Sequence, residues 1–151
     1  MRAPEKKQRR HYSGKKKRHT QKAQVIADQK SKRIMATAFC EGKKADFALF
    51  KQSRTGLALR TLCLADSGYQ GLDKQHAHSQ TPKKKSKQHP LTKEQKAANR
   101  EIARVRIACE HILARLKVFR ILAERYRNRR KRFGLRFNLI AAIYNMELKA
   151  D

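Results

Sequence analysis

Residues 64–71 read Leu64-Ala65-Asp66-Ser67-Gly68-Tyr69-Gln70-Gly71. They close a brief apolar run, Arg60-Thr61-Leu62-Cys63-Leu64-Ala65, which is partly β-compatible. A buried strand running into a loop is the simplest account. Asp66 then stands at the carboxyl end of that strand, where open α/β sheets tend to place their ligands. Asp-Ser-Gly is also ordinary turn chemistry, so taken alone the aspartate reads as a strand terminator.

Downstream, Thr92-Lys93-Glu94-Gln95 offers a capping box that opens the longest predicted helix. Its apolar stripe is Ile102, Val105, Cys109, Ile112 and Leu116, a spacing that suits one core-facing side. The helix is expected to run to about 117–120. At roughly 100° per residue, Arg106, Glu110 and Lys117 fall within about 40° of one another, on a ridge flanking that stripe. Glu110 has a plain reading as well, a surface acid pairing with Arg106 one turn away. A final helix, from Phe133 to about Leu148, is apolar around much of its circumference and is expected to be largely buried.

Upstream of Asp66, residues 19–27 and 33–39 read as a hairpin around the turn Asp28-Gln29-Lys30-Ser31, and residues 45–53 as a short helix. Residues 1–18 are too charged to bury a core and are expected to be disordered. A hydrophilic stretch at 74–90, with His76, His78 and His89 among lysines, reads as a mobile loop, its histidines solvated. The domain expectation is thus a basic N-terminal segment, 1–18, and one mixed α/β domain, 19–151.

Among 151 residues, 39 are Lys or Arg and 12 are Asp or Glu, a formal charge of +27. Self-repulsion at that charge opposes compaction and calls for a polyanionic partner. Nucleic acid fits, because each neutralised phosphate releases counterions. The runs at 6–18, 83–87 and 125–132 carry this reading, including Lys15, Lys16, Lys17 and Arg18. A membrane partner is disfavoured: Trp is absent, and no apolar run is long enough to span a bilayer. Cys40, Cys63 and Cys109 form no C-x-x-C pair, and read as reduced core thiols of a cytoplasmic protein.

Two carboxylates from separate elements, Asp66 and Glu110, would form a hard-oxygen site suited to Mg²⁺ or Mn²⁺. Such ions serve phosphodiester cleavage and strand transfer. Arg106 and Lys117 would contact DNA phosphates beside them. Asp28, Asp46 and Asp73 are weaker candidates that read as turn or cap residues.

Three segments in order carry a resemblance. Residues 64–71 resemble the strand-end motif of DDE-type transposases from bacterial insertion sequences. Arg104 to Lys117 is similar to their final catalytic helix, where an arginine precedes the glutamate and a lysine follows it. Tyr12-Ser13-Gly14-Lys15-Lys16-Lys17-Arg18-His19-Thr20 resembles the segment between that family's first two strands. The resemblance implies a ribonuclease H-like α/β (α+β) fold, a mixed sheet with flanking helices. It implies divalent metal and the cleavage and joining of DNA at insertion-sequence ends and targets, near the nucleoid.

By position, Asp66 matches the family's second acidic residue and Glu110 the third. The first, on the opening strand, has no counterpart, and Ala45-Asp46 departs from the family's His-Asp. The expectation is therefore an N-terminally truncated domain, its first strand missing, inactive alone. A second copy or a complementing upstream fragment is its expected protein partner. The alternative is a basic nucleic-acid-binding protein without catalysis.

Overall fold

The computed structural model describes residues 12–13, 18–86, 90–124 and 130–148, with side chains from residue 20 to 86, 90 to 124 and 131 to 148. In chain order the elements are β1 (Tyr12–Ser13), β2 (Arg18–His19), β3 (Gln21–Ala27), β4 (Ile34–Glu41), α1 (Asp46–Ser53), β5 (Cys63–Leu64), β6 (Ser79–Gln80), α2 (Lys93–Leu116), α3 (Arg120–Ala123) and α4 (Phe133–Glu147). The class is mixed α/β. The described strands form three separate two-stranded sheets, β1–β2, β3–β4 and β5–β6.

The central hairpin follows from its sequence. β3 and β4 pair antiparallel from Gln21↔Glu41 to Ala27↔Ile34, with one register shift at Ile26/Ala27. The turn is closed by Asp28, whose Oδ2 accepts from both the Ser31 N–H and the Ser31 hydroxyl at 2.7 Å. Asp28 is accordingly a turn residue, as its setting suggested.

Strand alternation gives the hairpin two different faces. Ala23, Val25, Ala27 and Phe39 pack against a core of Ile34, Ile112, Leu116, Phe133, Phe137, Ile140, Ala141 and Tyr144. Phe39 meets Phe133 edge-on at 5.7 Å between ring centroids and Phe137 at 5.2 Å. Lys22, Gln24 and Cys40 belong to the other face, where α1 and the Asp66 loop lie.

Asn145 locks α4 to β4: its Oδ1 accepts from the Ile34 N–H and its Nδ2 donates to the Ile34 carbonyl, both at 2.9 Å. The Tyr144 hydroxyl adds a bond to the Lys32 carbonyl at 3.1 Å. Ile34 opens β4, and among the described residues no strand pairs with the outer edge of β4, so this side-chain amide stands in for a ladder partner.

Four expectations need correction. First, α4 is covered on one face only: Leu135, Leu139, Ile143 and Met146 are exposed, Leu139 by 62%. The hairpin and α2 together cover less than the helix's circumference. Second, the 74–90 stretch is not a loose loop over its described part. Ser79–Gln80 pairs in parallel with Cys63–Leu64. His76 is buried, its Nε2 2.6 Å from the Thr61 carbonyl oxygen, and His78 Nδ1 lies 3.1 Å from that of Arg60.

Third, α2 stops at Leu116, earlier than expected, and a turn leads to the separate helix α3. Fourth, Tyr12–Ser13 and Arg18–His19 pair antiparallel, within a segment expected to be disordered. The rest of that segment, with Lys15, Lys16 and Lys17, lies outside the described residues, as does most of the basic run at 125–132.

Replacing Asn145 with Ala strips both backbone groups of Ile34, a residue 8% exposed, of their partner. Unfolding in urea should show a loss on the order of 1–3 kcal/mol, seen as a lower midpoint at unchanged slope.

Candidate active site

Asp66 follows β5 directly and caps the short 3-10 turn Ser67–Tyr69, its Oδ1 accepting from the Ser67 N–H at 2.5 Å. The turn-residue reading is therefore correct, and it is not the whole role. The same Oδ1 lies 3.4 Å from a terminal nitrogen of Arg106 on α2. The Arg106 side chain is 24% exposed and that of Asp66 58%. Arg106 thus pairs with the strand-end aspartate and not with Glu110 one turn along its own helix. Four residues of α-helix rise by about 6 Å. The ion pair therefore ties the Asp66 turn to α2 at Arg106, one helical turn before Glu110.

Glu110 itself is exposed. Lys117 is the C-cap of α2 and is likewise exposed. Arg18 belongs to β2 and its side chain lies outside the description. The position of α2 is set by its own sequence. Thr92 Oγ1 accepts from the Gln95 N–H and Gln95 Oε1 from the Thr92 N–H, both at 3.2 Å, so the expected capping box is formed. At the other end, buried Ile112 and Leu116 join the core.

Around the Asp66 turn stand Asp46, read from the sequence only as a weaker candidate, and Tyr69 of the motif, with Lys22 and Gln24 against them. Asp46, in the first turn of α1, lies 3.0 Å from Lys22 Nζ, which also donates to the Lys44 carbonyl at 2.6 Å. Asp46 also abuts the Asp66 turn: a Cβ on Gly68 would lie 2.6 Å from Asp46 Oδ2. A side chain at 68 would push the Asp46 carboxylate aside. Gly71 is required by conformation, since its φ of 89° is left-handed.

Tyr69 packs edge-on against Phe50, and its hydroxyl lies 3.4 Å from Gln24 Oε1. Gln24 is only 4% exposed, and its Nε2 has no hydrogen-bond partner among the described residues. The signal for Lys22 and Gln24 was the alternation of β3, whose second face carries polar residues at positions a strand buries.

Burial pushes the Tyr69 phenol up to about 12, and the nearby carboxylates of Asp46 and Asp66 add to the shift. Burial likewise raises the thiols of Cys40, Cys63 and Cys109, with Arg106 opposing and Glu110 reinforcing the shift at Cys109. These free thiols are protonated and unreactive near neutrality.

Asp66 and Glu110 supply hard oxygen donors, yet no three His, Cys, Asp or Glu side chains among the described residues gather to hold a metal ion. Arg106 and Lys22 already neutralise Asp66 and Asp46. The described residues alone do not make a complete cation site.

The site is thus an aspartate after a strand, ion-paired to the helix that bears Glu110. The chain belongs to the DDE superfamily endonuclease family, whose pattern matches residues 1–145. It is 49% identical over 145 residues to a probable transposase for insertion sequence element IS702 from Microchaete diplosiphon. That alignment covers 96% of this chain and 52% of the relative, so the chain spans about half the length of the curated relative it matches. No solved structure matches. Among the described residues, no helix is long and apolar enough to cross a membrane.

The phenol makes a testable statement about pH. Unfolded tyrosine ionises near 10.0 and folded Tyr69 near 12, so the unfolded state gains by losing its proton first. This contribution to stability is complete below pH 10.0 and is lost as pH rises toward about 12. Urea midpoints across that window should fall less steeply for Tyr69→Phe than for the unaltered chain. Asp46→Asn should lower the Tyr69 midpoint in an ultraviolet titration, since it removes a neighbouring negative charge.

Proposed function

We propose that this chain is part of a transposase that cleaves and joins DNA at the ends of an insertion sequence. The observation that carries the reading is the Asp66–Arg106 contact at 3.4 Å, which joins the strand-end motif to the helix bearing Glu110. Asp66 and Glu110 act as catalytic metal ligands, and Mg²⁺ or Mn²⁺ is the cofactor. Such ions activate an attacking oxygen and stabilise a leaving one in phosphodiester chemistry. Arg106 and Lys117 contact phosphate, with Lys15, Lys16, Lys17 and Arg18 extending the DNA surface. A DNA phosphate arriving at the site competes with Asp66 for the Arg106 guanidinium, so binding of substrate frees the carboxylate for its ion.

The reading includes a third carboxylate from polypeptide beyond these 151 residues. Three observations support it. The gathered donors are too few to hold an ion among the described residues. No described strand lies on the second edge of either β3 or β5. Gln24, on β3, keeps a buried amide donor unpaired, which ordinarily costs on the order of 1–3 kcal/mol. A further strand carrying an acid between β3 and β5 would produce the ribonuclease H-like sheet. The chain alone is then inactive, and works with a complementing segment or a second copy in the cytoplasm, at the nucleoid.

Incubation of the chain with DNA carrying an insertion-sequence end and Mg²⁺ or Mn²⁺ should give no cleavage. Fusion to the upstream segment of a full-length relative should restore it. In that fusion Asp66→Asn and Glu110→Gln should each lower the rate by more than about 100-fold. Metal-dependent nicking by the chain alone, abolished by Asp66→Ala, would overturn the need for a third acid. Salt-sensitive DNA binding indifferent to EDTA and to Glu110→Gln, with no activity in the fusion, would favour a binding protein without catalysis.

A further inference from the structure

The segment 81–86 is rich in lysine and has no regular structure, yet it is held from two sides. Asn99 on α2 clamps it with both ends of its amide: Oδ1 accepts from the Lys83 N–H at 2.9 Å and Nδ2 donates to the Lys83 carbonyl at 3.0 Å. Gln70, four residues after Asp66, donates from Nε2 to the Pro82 carbonyl at 2.8 Å. Between this segment and the first turn of α2 lies an open groove of about 580 Å³, lined by Gln70, Lys83, Lys84, Leu91, Thr92 and Gln95. The volume is in the range of a site for a group the size of a nucleotide.

We propose that this groove carries the DNA backbone next to the phosphate at Asp66, with Lys83 and Lys84 as its phosphate contacts. The inference rests on the DNA reading above and assigns a path along it.

Charge favours an anion here. Lys83 and Lys84 are exposed, and the ion pairs of the described residues all lie elsewhere. The acid in the first turn of α2, Glu94, is turned onto its own backbone N–H and the Thr92 side chain, which hold its carboxyl below the usual range. The helix end itself is not the ligand site, because the capping box already takes the backbone N–H groups of Thr92 and Gln95. It adds a positive field, and Gln95 caps through Oε1, which leaves its Nε2 out of the box.

Position favours a polymer over a small anion. Gln70 belongs to the loop that carries Asp66, and Asn99 lies seven residues before Arg106 on α2, about 10 Å along its axis. The groove thus opens at the N-terminal end of the helix that carries Arg106 and Glu110. The clamps matter energetically as well. Ordering a free lysine-rich loop on a ligand costs backbone and side-chain entropy. Here uncharged hydrogen bonds have already ordered the backbone, so less is lost on binding.

The test is titration of a labelled DNA duplex with the full chain in EDTA, at salt from low to physiological. Lys83→Gln with Lys84→Gln should reduce the slope of log affinity against log salt by about 1.8, two contacts at ~0.9 each. Lys30→Gln with Arg33→Gln, an equal loss of charge at the hairpin turn, should reduce it by less than half as much. Asn99→Ala keeps the charge and releases the segment; it should weaken binding several-fold while circular dichroism reports an unchanged helix content. If the unaltered chain binds but the two charge pairs behave alike and Asn99→Ala is silent, the groove is not the path and the DNA reading stands. If the unaltered chain binds no DNA even at low salt, both fall.

Discussion

The packing of α4 across β4 governs everything else in this molecule. A chain with 39 basic residues and 12 acidic ones has a strong electrostatic reason to stay open. Against that stands one apolar cluster, built where Phe39 sits between Phe133 and Phe137 and where Ile112 and Leu116 bring in α2. Burial of such side chains contributes about 1.5–3 kcal/mol each, before the entropy of ordering them. The site depends on this cluster at one remove. α2 is anchored by its C-terminal half, and its middle is thereby set against the Asp66 loop.

The two faces of the hairpin divide labour. One face is apolar and closes the core. The other holds Lys22 and Gln24 against Asp46 and Tyr69, and so supports the turn that carries Asp66. A substitution on the first face acts on stability, whereas one on the second acts on the position of a carboxylate. Asp46 illustrates the second kind. Its ion pair with Lys22 is partly exposed, and pairs of this sort are worth little in free energy. Its value lies in geometry, since its carboxylate packs against Gly68 of the turn that carries Asp66.

Much of this was legible in the sequence because it depends on local rules. The Asp28–Ser31 turn, the capping box at Thr92, the core-facing Ile112 and Leu116 at the end of the α2 stripe and the position of Asp66 after a strand all follow from short-range patterns. What was not legible depends on distant partners. His76 looked solvated because its neighbours are polar, but its ring finds the Thr61 carbonyl across a parallel strand pair. The lysines at 83–85 looked loose because nothing near them in sequence holds them; Asn99 and Gln70 do. α4 looked buried all round because apolar periodicity counts faces without counting the elements available to cover them. Arg106 illustrates the same limit: helix geometry offers it Glu110, and tertiary geometry gives it Asp66.

Net charge alone cannot tie DNA binding to this fold. The unfolded chain carries the same 39 basic side chains, so phosphate attraction in general stabilises both states. Only a partner that binds the native form more tightly shifts the folding equilibrium. That preference must come from contacts whose geometry exists in the native state alone. The Asp66–Arg106 pair and the two hydrogen bonds between Asn99 and the Lys83 backbone are of this kind, because each joins segments far apart in sequence. They turn a diffuse positive charge into a directed one. On the proposed path for DNA, the uncharged Asn99 is therefore as important as the lysine whose backbone it holds.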